Sequence, residues 1–121
     1  MQLVFRILLN EQTIGESEFE TGDPPMGCVS GALKTKSSVD NLLKLILNNG
    51  GISKDGEYRL ELDSRFSVVD VQGKKLEYLG GCIMAYPDIS EILIDIVGIP
   101  YPEYGELFPK HVSQYESKFS T

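Results

Sequence analysis

Histidine, cysteine and tryptophan are scarce in this chain of 121 residues, which has one histidine, two cysteines and no tryptophan. A lone histidine leaves little for proton-transfer chemistry. A Ser-His-Asp arrangement would rest wholly on His111, and no nucleophile-elbow pattern accompanies it. His111 falls between Lys110 and Val112, on the side of a short C-terminal helix turned away from its apolar residues. It reads as a solvated surface group. A closed zinc site needs four cysteine or histidine ligands, usually in close pairs, whereas Cys28, Cys82 and His111 are isolated. The stretch "ISKDGEYRLELD" lacks the alternating acid ligands of an EF-hand. Neither a Walker A loop nor a GxGxxG opening a helix occurs. The expectation is no catalytic residue, no metal and no cofactor. Two cysteines cannot make a disulfide scaffold; both read as small buried residues, a single bridge being the alternative.

Long apolar runs are missing too. Nothing approaches the roughly 20 residues that span a bilayer. "MQLVFRILLNEQ" is broken by Arg6 and has no small-residue cleavage site of a signal peptide. A cytoplasmic protein with no membrane partner is expected. Nor is there a run of basic residues: 11 Lys and Arg stand against 18 Asp and Glu, for a net charge of −7, and Lys74-Lys75 reads only as part of a turn. Such a surface repels phosphate backbones, so nucleic acid is not an expected partner. A basic protein is, because opposite charge speeds encounter.

What is present is ordinary for a globular chain: 41% hydrophobic and 24% charged residues. The length fits one domain over residues 1–121 and can bury roughly 65% of the unfolded surface. "QLVFRILLN" (2–10) is apolar on both faces, as a central strand is. "TIGESEFE" (13–20) reads as its hairpin partner. One face of that strand carries Ile14, Glu16, Glu18 and Glu20, and the other Thr13, Gly15, Ser17 and Phe19. "CVSGALK" (28–34) makes a third strand in which Gly31 leaves room for a close approach. "SSVDNLLKLILNNGG" (37–51) is the clearest helix. Ser37 with Asp40 forms a capping-box-like start, Val39, Leu42, Leu43, Ile46 and Leu47 form an apolar stripe widened by Leu45, and Asn48 to Gly51 form a left-handed stop. "EYRLELD" (57–63) alternates with Tyr58, Leu60 and Leu62 inward. Strands follow over 65–71, 76–86 with a kink at Gly80-Gly81, and 89–99. A helix begins near Pro109 with Phe108, Val112, Tyr115 and Phe119 on one face. Short connections favour antiparallel pairing. The expected fold is α+β: a mainly antiparallel sheet of about six or seven strands, one main helix over about 38–49 covering one face, and a short C-terminal helix.

Two features are candidates for function. The row Glu16, Glu18, Glu20 is either a solvated strand face or an acidic surface that docks a cationic partner. The second candidate is "GDPPMGCVSG" (22–31). Each proline fixes φ and drives the preceding residue out of the helical region. Asp23 can close the turn through its side chain, and Gly22 and Gly27 permit positive φ. Asp23, Pro24, Pro25, Met26 and Gly27 thus form a stiff unit presenting Met26, with Pro24-Pro25 the favoured place for a cis bond. The unit is either a rigid connection that fixes topology or a recognition loop.

"GDPPMGCVSG", together with "YGELFPKHVSQYESKF", resembles small bacterial hypothetical proteins. In these a DPPMG motif follows an N-terminal hairpin and an "LFP..V..Y" segment closes the chain. The resemblance covers both ends. It implies a bacterial origin and a unit fold, but no activity is established for the group, so no catalytic role is carried over. Cys28 after the motif and the lysine-rich "KTKSS" before the helix depart from the pattern.

The leading functional expectation is a non-enzymatic cytoplasmic binding protein, such as an immunity-type neutraliser of a bacterial toxin or a binder of another basic protein. One alternative is a small enzyme or ligand-binding domain with its site at the Asp23–Cys28 loop. The other is a homodimer or larger homo-oligomer pairing through a strand edge or the C-terminal aromatic helix.

Overall fold

A computed structural model of the protein describes residues 3–119. The fold is α+β with antiparallel pairing throughout, and its strands divide into two sheets. The first holds β1 (Phe5–Leu9), β2 (Gln12–Ser17) and β7 (Phe66–Val69) in the order β2-β1-β7. The second holds β3 (Thr21–Asp23), β4 (Cys28–Ala32), β5 (Ile52–Lys54), β6 (Glu57–Glu61), β8 (Gly80–Tyr86) and β9 (Glu91–Val97), in the order β3-β4-β9-β8-β6-β5. One bridge joins them: the Glu16 and Lys34 main chains exchange hydrogen bonds of 2.9 and 2.8 Å.

The division arises where the chain bends between β2 and β3. Ile7 opposes Gly15 but Leu8 opposes Thr13, so Ile14 is an extra residue, a bulge that turns Thr13 outward. Five residues on, Phe19 takes a left-handed φ of 46° although it is fully buried. That conformation is costly for a bulky residue. It is held because the Phe19 N–H donates to the buried Ser17 hydroxyl at 3.1 Å. Gly31 makes it fit: a Cβ there would lie 2.8 Å from the Phe19 Cα. One bent segment thereby pairs with β1 at one end and β4 at the other.

Elsewhere local periodicity holds. Leu60 and Leu62 are buried and Tyr58 packs against the core. Strand β8 is buried on both faces from Cys82 to Ala85, as its central place between β6 and β9 requires. It begins at Gly80 rather than at residue 76, because residues 74–76 turn back along β7: Asp70 N–H donates to Lys74 O at 2.9 Å and Leu76 N–H to Val68 O at 2.8 Å. Helix α1 (Val39–Asn48) is capped by Ser38, whose Oγ accepts from Asn41 N–H, one residue later than the Ser37 and Asp40 pair. Leu42 and Ile46 are buried, but Leu47 is exposed. Arg65 ties the end of this helix to the turn before β7, donating to the Asn49 carbonyl at 2.9 Å and to both Asp63 oxygens.

The C-terminal segment docks on the bend. It comprises α2 (Glu103–Leu107) and α3 (Pro109–Ser117), the latter starting at the proline as helix geometry allows. Phe108 stacks on Phe5 at 5.5 Å and meets Phe19 edge-on at 6.4 Å, while Tyr104 packs on Phe108 at 5.4 Å. Two polar pins accompany the rings. The Tyr104 hydroxyl donates to the Cys28 carbonyl at 2.8 Å, and His111 Nε2 lies 2.7 Å from the Phe19 carbonyl. A carbonyl only accepts, so Nε2 carries the hydrogen. His111 is therefore not a solvated group. It is half-buried and stacked on Phe108 at 5.4 Å, because helical spacing puts it three residues after Phe108 and four before Tyr115, at the border of the apolar stripe, where the bend brings the Phe19 carbonyl within reach. The cis peptide bond is Tyr101–Pro102, not Pro24–Pro25. Cys28 and Cys82 are both free thiols, Cys82 buried and Cys28 only half-buried.

Phe108→Ala should cost about 3–5 kcal/mol in urea unfolding, since it empties the centre of the ring cluster. Burial pushes the Tyr104 phenol well above its ordinary value of 10.0, so the folded state keeps this proton when the unfolded chain has lost it. The added stability is fully present below about pH 10 and is lost as pH rises through the higher folded value. Tyr104→Phe should therefore lose about 1 kcal/mol at neutral pH and decline less steeply than the wild type above about pH 10.

Candidate functional site

The DPPMG segment is the connection of the β3–β4 hairpin, which brings Asp23 opposite Cys28. Pro24–Met26 form a single 3-10 turn with a proline at its start. The turn closes through Gly27, at φ 64°, whose N–H donates to the Pro24 carbonyl at 3.0 Å. The Asp23 side chain makes no capping bond, so the two prolines and Gly27 hold the turn without it. Only glycine suits the fifth position. Its φ is left-handed, and a Cβ would stand 2.7 Å from the Ile99 carbonyl.

Three further bonds fix the turn to the body. Ile99 N–H donates to Gly27 O at 2.9 Å, the Tyr101 hydroxyl to Pro24 O at 3.4 Å, and the Cys28 thiol to Met26 O at 3.4 Å. Burial, with Asp23 nearby, pushes the Cys28 thiol up from its ordinary range, which keeps it protonated and a poor nucleophile. Pro24 is buried, Asp23 and Pro25 are exposed, and Met26 projects outward with 66% of its surface in solvent.

Met26 does not stand alone. Leu79, which follows the turn after β7, and Tyr101, which precedes α2, converge beside it and are 89% and 56% exposed. With Pro25 and Pro100 they line an open cleft of about 540 Å³ whose lining holds one carboxylate, Glu77, and no cation. Tyr101 is positioned by packing on Tyr104 at 5.5 Å. Exposed apolar side chains scattered singly are normal, but converging ones mark contact surfaces. Leu79 and Tyr101 carried no sequence signal: an apolar residue beside Gly80-Gly81 reads as strand, and a tyrosine between prolines as tail. Chemically, the cleft offers apolar area, phenols and one acid.

The glutamate row is divided by the bend. Strand β2 ends at Ser17, so Glu16 lies in one cleft with Lys34, while Glu18 and Glu20 lie in another of about 360 Å³ with Glu106, Lys110 and His111. Glu20 also accepts from Ala32 N–H at 3.0 Å. Tyr101 of the apolar cleft and Glu106 of the acidic one sit at opposite ends of α2. Among the described residues no group of three or more His, Cys, Asp or Glu is placed to hold a metal ion. No family model matches the chain, and no curated protein or solved structure matches it.

Gly27→Ala should destabilise the protein by about 1–2 kcal/mol or more, from the left-handed backbone and the crowded Ile99 carbonyl. Chemical denaturation checks the size. Loss of the Ile99 amide's protection from hydrogen exchange checks the place.

Proposed function

We propose that this protein is a non-enzymatic binding protein whose docking face is the apolar cleft on the Asp23–Gly27 turn, and whose partner is a basic protein. Neutralisation of a bacterial toxin, as by an immunity-type protein, is the role that such a module suits. The observation that carries the reading is the convergence of Met26, Leu79 and Tyr101, all more than half exposed, on a backbone pinned by hydrogen bonds. Each Å² of that apolar surface removed from water contributes about 25 cal/mol. A pre-ordered turn loses little entropy on binding, so more of that gain appears as affinity.

Charge supports the class of partner. Glu77 is the only ionisable carboxylate lining the cleft, Asp23 adjoins the turn, and the chain carries −7 overall. Glu18, Glu20 and Glu106 lie at the far end of α2, where they would form an acidic rim. A partner with an apolar anchor flanked by lysine or arginine meets both features. Rim charges act mainly on the association rate and its salt dependence.

The test is affinity capture at low salt from extracts of the source cells, with wild type and Met26→Asp/Leu79→Asp compared side by side. A basic protein retained by wild type, released by salt and lost from the double variant is expected. Glu18→Lys/Glu20→Lys should slow association several-fold and flatten its salt dependence. Capture of the same protein by both forms, or of none by either, would refute the assignment. A wild-type dimer in sedimentation that becomes a monomer in the double variant would replace the foreign partner with a second copy of this chain.

A further inference from the structure

The lysine-rich "KTKSS" segment and Arg6 are far apart in sequence and meet in the fold. Arg6 opposes Glu16 in the β1–β2 ladder, and Glu16 opposes Lys34 in the bridge that joins the sheets. Directly opposed residues share a sheet face, so Arg6, Glu16 and Lys34 stand in a row across three segments. With Lys36 they line a cleft of about 610 Å³ between β2 and the start of α1. All three cations are exposed, and among the described residues none is in an ion pair; the ion pairs present there use Arg59 and Arg65. Glu16 is the one carboxylate in the lining. Asp40 lies nearby in the first turn of α1 but outside that lining. The sequence carries no contiguous basic run, and the fold assembles a basic cleft on an acidic protein.

The rest of the lining has two kinds of surface. Thr13, Ser37 and Asn41 offer uncharged donors, and the half-buried Ile14 and Leu45 offer an apolar wall. A cleft of this size, mostly pre-formed, with a few convergent polar groups beside apolar ones, is the general pattern of a small-molecule site.

We propose that this cleft binds a small phosphorylated molecule, its phosphate held by Arg6, Lys34 and Lys36 and its organic part laid over Ile14 and Leu45. Three cations against one carboxylate leave the lining with two positive charges, which match a phosphate monoester of charge near −2 better than a single carboxylate. The phosphate's three acceptor oxygens suit arginine and lysine donors from separate segments. A nucleic-acid polymer is disfavoured, since its further phosphates would meet the acidic remainder of the surface. The site is independent of the Met26 face, with which it shares no lining residue.

The experiment is an NMR titration of amide shifts with phenyl phosphate and, separately, inorganic phosphate. Phenyl phosphate should saturate shifts at Lys34 to Asn41 and bind more tightly than inorganic phosphate. Lys34→Gln/Lys36→Gln should weaken it roughly fivefold or more, and Glu16→Gln should tighten it. These opposite changes cannot both come from damage to the fold. No saturable shift at millimolar phenyl phosphate, binding that the double lysine variant retains in full, or inorganic phosphate binding as tightly as the ester would each overturn the proposal.

Discussion

The Tyr104 and His111 side chains hold the C-terminal segment to the sheet through two main-chain carbonyls, those of Cys28 and Phe19. The Phe19 carbonyl lies in the bend between β2 and β3 and the Cys28 carbonyl at the start of β4, and both rings belong to the Phe5, Phe19, Phe108 cluster. Neutral hydrogen bonds of this kind contribute only about 1 kcal/mol each, but their positions matter more than their sum. They set the register in which α2 and α3 lie over the hairpin. That register places Tyr101 against Pro24 and Ile99 against Gly27. Without the clamp, the DPPMG turn would be a hairpin tip carrying one exposed methionine.

The same bend determines how charge is distributed. A straight strand would have carried Glu16, Glu18 and Glu20 as one face. The regular end of the β1–β2 ladder sets Glu16 opposite Arg6 and near Lys34, and the left-handed Phe19 beyond the end of β2 leaves Glu18 and Glu20 beside α3. An acidic chain thus carries an acidic and a basic surface on the two sides of the distortion at Phe19. The distortion persists because Ser17, Gly31 and His111 each satisfy or accommodate a specific atom of Phe19. Strain held by several independent contacts is how such a conformation survives in a folded chain.

Much of the fold was legible in the sequence, because much of it is local. The apolar spacing of α1, the alternation of Tyr58, Leu60 and Leu62, and the proline that opens α3 each depend on neighbours within a few residues. The stiffness of Asp23 to Gly27 was legible for the same reason, since proline and glycine fix backbone angles wherever they occur. The split into two sheets was not, because it arises from a bulge whose register depends on β1 and from a buried phenylalanine in a glycine-like conformation. Nor was the role of His111: helical spacing sets it beside Phe108 at the border of the apolar stripe, and only the fold brings the Phe19 carbonyl to it. The full cleft was not legible because Leu79 and Tyr101 come from distant segments, and neither was the basic groove, whose cations are split between β1 and the stretch before α1.

The turn's rigidity is the point on which experiment can bear with least intervening argument. Amide hydrogen exchange, followed residue by residue on the wild type and on Tyr104→Phe, reads it at Gly27 and Ile99, whose N–H groups are bonded to Pro24 and Gly27. Both amides should be protected far beyond those of the exposed turn at Asp55 and Gly56, and both should lose protection in the variant. Exchange at Gly27 and Ile99 as fast as at Asp55 and Gly56 would mean that the clamp does not order the turn.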